Sequence, residues 1–185
     1  MAFIMRLFVS LISLALLLGA CQPAGNDYGF KVRNVQLHPG YMRILAQYDQ
    51  NLSLSREAVE ALEHGVPLTI LLELELRDSR NLNLLVDESR VFEIRFLPLN
   101  EVYQLSGPGQ NSIRSFPRLR HVLTELANSN VDFQTGPLAP GNYEFRSRIR
   151  LNNARLPAPM RLPALFSAEW KHDSEWSTWP FEINV

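Results

Sequence analysis

The sequence predicts a mainly β protein, a two-layer antiparallel β-sandwich with two short α-helices. Apolar and charged residues alternate with a period of two in several segments, and two segments have the period of an amphipathic helix. Alternation turns one face of a strand towards a core and the other towards water, as in antiparallel sheets. Many strands with few helices then favour two packed sheets.

The alternating segments share one pattern. Residues 72–77 have the sequence Leu-Glu-Leu-Glu-Leu-Arg, residues 92–96 alternate phenylalanine or isoleucine with Glu93 and Arg95, and residues 143–151 alternate apolar residues with arginine. These segments predict strands with one apolar and one charged face. Further strands are predicted near residues 28–37, 41–50 and 101–106, and from Phe181 to Val185.

The first helix is predicted from Ser55, its N-cap, to His64, with Gly65 as a left-handed stop. The second is predicted from about Phe116 to Ala127, because leucine and valine recur there on one helical face. Pro117 is tolerated in a first turn. Both helices therefore interrupt a chain that is otherwise dominated by strands.

The C-terminal part differs in composition. Prolines at 157, 159 and 163 predict a stiff, extended crossing, because proline disfavours a regular hydrogen-bonded ladder. The tryptophans of the chain follow, at Trp170, Trp176 and Trp179. They could form an aromatic interaction surface, or they could be buried rings that cap one end of the sandwich. The buried interpretation is favoured.

The N-terminal segment resembles a bacterial lipoprotein signal. Arg6 precedes an apolar run from Leu7 to Leu18, which is too short to span a bilayer, and Leu18-Gly19-Ala20-Cys21 resembles a lipobox. We therefore predict a signal peptide over residues 1–20, lipid attachment at Cys21, a tether over 21–27 and a single domain over 28–185. The alternatives are an ordinary cleavage site followed by a free cysteine, or a redox thiol.

The resemblance to a lipoprotein signal also implies a location. It places the protein in the cell envelope of a Gram-negative bacterium, facing the periplasm and bound to the membrane through lipidated Cys21. Gln22 stands where aspartate would favour retention in the inner membrane, so the outer membrane is favoured. Because Cys21 is the only cysteine, an intrachain disulfide is impossible.

Charge excludes one class of partner and suggests another. The chain has 18 Lys and Arg against 19 Asp and Glu, which argues against nucleic-acid binding. Arg146, Arg148 and Arg150 form the densest cationic row and could contact an anionic lipid or an envelope protein. The favoured alternative is structural, with cross-strand ion pairs to Glu73, Glu75 and Glu93.

The histidines do not define a catalytic or metal site. His121 with Glu125, and Glu60 with His64, have helical i,i+4 spacing, but no third ligand has recognisable spacing, so neither a metal nor a cofactor is predicted. His172-Asp173-Ser174 contains the residue types of a hydrolase triad, but adjacent side chains cannot align for that chemistry. No catalytic residue is assigned.

Two parts of the chain resemble the family called domain of unknown function 4390. Residues 52–68, which precede the Leu/Glu strand, resemble its early part. Residues 143–151, Leu156-Pro157 and the segment from Trp170 to Trp179 resemble its later part. The family has no established activity, so the resemblance supports an envelope protein and implies no catalytic residues. Its usual tryptophan after the Leu/Glu strand is absent from Arg77-Asp78-Ser79-Arg80.

These observations favour a lipid-anchored, non-enzymatic binding or assembly module that faces the periplasm and contacts another envelope component. One alternative is an envelope hydrolase or lipid-handling enzyme that uses His121 or His172. Another is a ligand-sensing accessory of a signalling system, which would require a deep apolar pocket between the sheets.

Overall fold

The computed structural model describes residues 28–108 and 113–184. Several predictions lie outside these residues: the signal peptide over 1–20, the tether over 21–27 with Cys21, and the end of the last strand at Val185. Residues 109–112 lie outside the described chain as well.

Strands dominate the described chain, as the alternation predicts. In order, the elements are β1 Gly29–Pro39, β2 Arg43–Ser53, α1 Arg56–Glu63, β3 Leu68–Asp78, β4 Leu84–Leu97, β5 Val102–Ser106, β6 Arg114–Phe116, α2 Leu119–Ala127, β7 Asn130–Gln134, β8 Gly141–Leu151, α3 Ala158–Phe166 and β9 Ser177–Ile183. Single 3₁₀ turns at Asn153–Arg155 and Ala168–Trp170 flank α3.

The strands form two antiparallel sheets, which confirms the predicted fold class. The smaller sheet has the order β1-β2-β7, and the six-stranded sheet has the order β6-β5-β4-β3-β8-β9. The inner faces of both sheets contribute to one hydrophobic core, with Ile44 and Phe133 from the smaller sheet meeting Phe145 from the larger. The arrangement is a two-layer sandwich.

Strand β3 lies inside the six-stranded sheet, between β4 and β8. Its leucines at 72, 74 and 76 are buried on the inner face, and Glu73, Glu75 and Arg77 point to the outer face. A strand with this pattern has one register that keeps every leucine in the core, because a shift by one residue would turn them all towards water.

Helix α1 begins and ends where the sequence predicts. The Ser55 side chain accepts the backbone N–H of Ala58 at 3.2 Å and donates to the carbonyl oxygen of Glu169 at 2.6 Å. Gly65 follows the helix with φ +89°, a conformation that favours glycine. The cap therefore connects α1 to the 3₁₀ turn that precedes β9.

Two short strands were not predicted, and one of them shifts a predicted helix. Residues 114–116 pair with β5 as β6, so α2 begins at Leu119 rather than at Phe116. Residues 130–134 pair with β2 as β7. Three and five residues give too little alternation to be recognised, and their hydrogen-bond partners are distant in sequence.

The extended crossing predicted over the proline-rich segment is wrong, because residues 158–166 form α3. Pro157 precedes the helix, and Pro159 lies in its first turn, where a backbone N–H has no helical partner. Pro163 is the only proline deeper in the helix. The prolines are thus spaced so that a short helix tolerates them, and residues 28–108 and 113–184 form three α-helices rather than two.

Candidate functional site

The predicted arginine row lies on the outer face of β8, beside β3. Arg150 makes two hydrogen bonds to Glu73, with Nε to Oε2 at 2.8 Å and Nη2 to Oε1 at 3.1 Å. Arg146 donates from Nη1 to Oε2 of Glu75 at 3.1 Å. Hydrogen bonding from Arg150 lowers the pKa of Glu73 and so favours its ionised carboxylate.

The third arginine of the row has a different partner. Arg148 binds Asp173 through Nε, at 2.8 Å from Oδ1, and through Nη2. Burial raises the pKa of Asp173, but the hydrogen bonds from Arg148 and from the Glu175 backbone outweigh it, so the net shift is downward. All three arginines of the row are therefore engaged within the protein.

Glu93 does not pair with the arginine row, contrary to the structural interpretation of the sequence. Its carboxylate binds Arg95, two residues further along the same strand. The reason is topological: β3 separates β4 from β8, so Glu93 lies two strands away from the row.

The structure does not bring the three tryptophans together on one surface. Trp170 is only 2% exposed and belongs to the core. Trp179 packs against the core beside Phe145, with ring centroids 6.5 Å apart. Trp176 instead lies against Arg146, whose guanidinium carbon is 5.0 Å from the ring centroid. Only Trp176 therefore shares a surface with the arginine row.

His172 is a buried structural histidine. Its Nε2 accepts the backbone N–H of Ser55 at 2.9 Å, and the rings of Tyr28 and Phe30 lie 5.4 and 5.3 Å away. Because Nε2 accepts, the neutral ring carries its proton on Nδ1. Burial lowers the pKa of His172 to about 4. The histidine binds an amide rather than the Ser55 hydroxyl, so this contact does not activate a nucleophile.

The other histidine proposed for catalysis lies on the surface. His121 is exposed on α2, and its predicted i,i+4 partner Glu125 instead pairs with Arg114 of β6. His64 contacts the carbonyl oxygen of Glu60 through Nδ1 at 2.6 Å. Within residues 28–108 and 113–184, no three His, Cys, Asp or Glu side chains are grouped as a metal site would require.

A cleft of about 390 Å³ opens between the six-stranded sheet, β7 and α2. Its lining includes apolar side chains from β4, β5, α2 and β7 and charged side chains from β4, β6 and α2. The apolar residues are Phe92, Leu105, Leu126 and Val131, and the charged residues are Arg90, Arg114 and Glu125.

Arg90 joins the two sheets at this cleft. Its guanidinium binds Glu88 through Nε at 2.7 Å and also donates to the backbone carbonyl of Asp132 on β7. The two bonds use two of the five N–H donors of a guanidinium. Burial raises the pKa of the Tyr48 phenol, while the Ser147 hydroxyl and the Arg90 charge act in the opposite direction. The Arg90 guanidinium therefore lies between the buried Tyr48 and the cleft.

One strand of the cleft carries a sequence signal for this site. Glu88 and Arg90 occupy the same phase of β4 as Phe92 and Ile94, and they pair with the buried leucines at 74 and 72. Charged residues at inward-facing positions of a strand indicate where the apolar core ends, because an unpaired charge is costly to bury. The helix and β7 side of the cleft had no comparable signal.

The fold and cleft define a mainly β, two-sheet protein with a candidate binding site between its layers. Residues 27–180 match the family described as Domain of unknown function (DUF4390), and the chain belongs to that family. No curated protein and no solved structure matches the chain. In the part of the chain that the structure describes, no helix has the length and apolarity needed to cross a membrane.

We predict that His172 makes the fold sensitive to acid. The unfolded histidine titrates near 6.5 and the folded one near 4, so between these values the unfolded chain binds more protons. Stability is therefore present above pH 6.5 and falls as the pH is lowered towards 4, by up to about 3 kcal/mol. Urea unfolding across this range measures the change.

The comparison uses His172→Gln, which cannot take up a proton, and His121→Gln as an exposed control. The original chain and His121→Gln should lose the same unfolding free energy as the pH falls from 6.5 to 4. His172→Gln should lose less over this range, measured relative to its own stability near neutral pH. An unchanged slope in His172→Gln would contradict the prediction.

Proposed function

We propose that this protein is a lipid-anchored binding module of the Gram-negative cell envelope that faces the periplasm and acts without catalysis. The observation that carries the proposal is the cleft of about 390 Å³ between the sheets, lined by apolar and cationic side chains. Its lining combines apolar side chains with charged and polar groups, and concave sites that bind small ligands combine apolar contacts with a few placed polar groups.

The lining supports a ligand with an apolar body and an acidic group. Phe92, Leu105 and Leu126 would contact the body, and the guanidinium groups of Arg90 and Arg114 would contact the acid. A sensor that reports ligand occupancy to a signalling partner would use the same cleft. Arg90 and Arg114 pair with Glu88 and Glu125, so the acid would bind through their remaining N–H donors. The arginine row would not contribute to this site, because it lies on the outer face of β8, away from the cleft.

The anchor is supported by sequence. Cys21 ends a lipobox-like motif, and Tyr28, where the described structure begins, lies seven positions further along the chain. An extended chain of that length spans at most about 25 Å. The proposed domain would therefore stay close to the bilayer, and Gln22 favours the outer membrane over the inner one.

We predict that 1-anilinonaphthalene-8-sulfonate, an anionic apolar probe, binds saturably to the mature chain carrying Cys21→Ser. Arg114→Gln removes a cation from the cleft and should weaken binding about tenfold, since a charge-assisted hydrogen bond is lost. Fluorescence titration measures the affinity. Arg114 is largely exposed, so the substitution should leave the fold intact.

Two controls make this result specific to the cleft. Arg56→Gln removes an exposed arginine on α1 and should leave probe affinity unchanged. The uncharged probe N-phenyl-1-naphthylamine should bind Arg114→Gln as well as it binds the original chain. Equal sulfonate affinity in Arg114→Gln and in the original chain would refute the proposed ligand class.

We also predict that the protein extracted from membranes carries acyl chains on Cys21. Intact-mass spectrometry should show a mature chain that begins at Cys21 with the added mass of its lipid, and Cys21→Ser should abolish both the added mass and membrane retention. Protein that begins at Cys21 without acyl mass would rule out the anchor while leaving the cleft open to test.

A further inference from the structure

Helix α3 presents its larger apolar side chains to the surface instead of to the core. Only Ala164 is buried in the helix, and Met160 packs partly against the core. Leu162, Leu165 and Phe166 are 68%, 60% and 84% exposed. Large apolar side chains normally occupy the buried face of a helix, so this helix has the opposite arrangement.

The three exposed side chains form one contiguous patch. Positions 162, 165 and 166 have i, i+3 and i+4 spacing and therefore lie on the same helical face. Ala158, Pro159 and Pro163 of the helix are exposed as well, and Arg161 is its only charged residue. A clustered apolar surface of this kind marks a binding site more often than scattered exposed residues do.

The patch lies beside the point where the chain from Cys21 reaches the fold. Tyr28, the first described residue, contacts the ring of His172. The pKa of Tyr28 is raised mainly by desolvation and next by the nearby carboxylate of Glu169. Glu169 belongs to the 3₁₀ turn Ala168–Trp170, which follows Phe166 after a single residue. The tether of the proposed function would thus hold this end of the molecule nearest the membrane.

We propose that the α3 patch, defined by Leu162, Leu165 and Phe166, lies on the lipid surface to which the protein is anchored. Amphipathic helices at a bilayer surface place leucine and phenylalanine among the acyl chains and keep cations at the headgroups. Exposed Arg155, Arg161 and Lys171 flank the patch and suit anionic headgroups, although Glu57 and Glu169 lie nearby. The inference rests on the anchor of the proposed function.

The fold supplies a control patch at its opposite end. Tyr41 and Met42, at 80% and 52% exposure, lie in the turn that joins β1 to β2. Strand β1 has 11 residues, so this turn is about 35 Å from Tyr28 along the strand. Membrane contact through α3 would leave Tyr41 and Met42 in water.

The experiment uses the lipidated mature chain, reconstituted in vesicles of phosphatidylethanolamine and phosphatidylglycerol. With the Cys21 thiol acylated, Phe166→Cys or Tyr41→Cys supplies one site for a nitrobenzoxadiazole label. We expect the label at position 166 to shift to shorter emission wavelength and to be quenched by doxyl lipids. The label at position 41 should be quenched by aqueous iodide instead.

Unanchored protein separates the patch from the lipid anchor. In the Cys21→Ser chain, Leu162→Ser with Phe166→Ser should reduce vesicle flotation about tenfold, and Tyr41→Ser with Met42→Ser should leave flotation unchanged. All four side chains are exposed, so the melting temperatures should agree, and the original chain provides the reference.

The failure of this inference is distinguishable from the failure of the anchor. An acylated, vesicle-bound protein whose label at position 166 is as accessible to iodide as the label at position 41 would overturn the α3 contact and leave the anchor standing. A soluble dimer of the Cys21→Ser chain that Leu162→Ser with Phe166→Ser dissociates would also overturn it, by assigning the patch to a second copy. Flotation that depends on the patch without Cys21 acylation would support it.

Discussion

Strand β3 is hydrogen-bonded on both sides, to β4 and to β8. Its inner face carries leucines and its outer face carries charged residues. The leucines on the inner face are removed from water, which supplies the main driving force for packing the sheets. The carboxylates on the outer face pair with arginines of β8 in the register that the leucines require. A slip by one residue would expose the leucines and separate these ion pairs.

The position of β3 also explains which groups are available for binding. Because β3 and β8 are adjacent, Glu73 and Glu75 pair with Arg150 and Arg146. Asp173 binds the remaining arginine of the row, Arg148. On β4, Ile94 and Arg90 both face inward, but Ile94 lies in the core and Arg90 lines the cleft. Helix α2 and strand β7 form the other side of this cleft. The inner face is therefore apolar along β3 and carries charged groups along part of β4.

What the sequence predicted well is encoded locally. Strand β3 and helix α1 contain their own period, cap and stop signals, as Ser55 and Gly65 illustrate. Strands β6 and β7 depend on partners that are distant in sequence, so the cleft could not be located from local pattern. Helix α3 differs from the predicted extended crossing because three clustered prolines disfavour a β ladder, yet Pro157 and Pro159 lie at helix positions that accept proline.

The central claim, that the arginine row is engaged in ion pairs across the sheet in the register set by the β3 leucines, is tested most directly by a double-mutant cycle on Glu73 and Arg150. Urea unfolding of Glu73→Gln, Arg150→Gln and the double variant should give a coupling of about 1 kcal/mol. The exposed pair Arg56 and Glu60 should give about 0.3 kcal/mol. A coupling between Glu73 and Arg150 no larger than that of the exposed pair would contradict the claim and leave Arg150 free for an anionic partner.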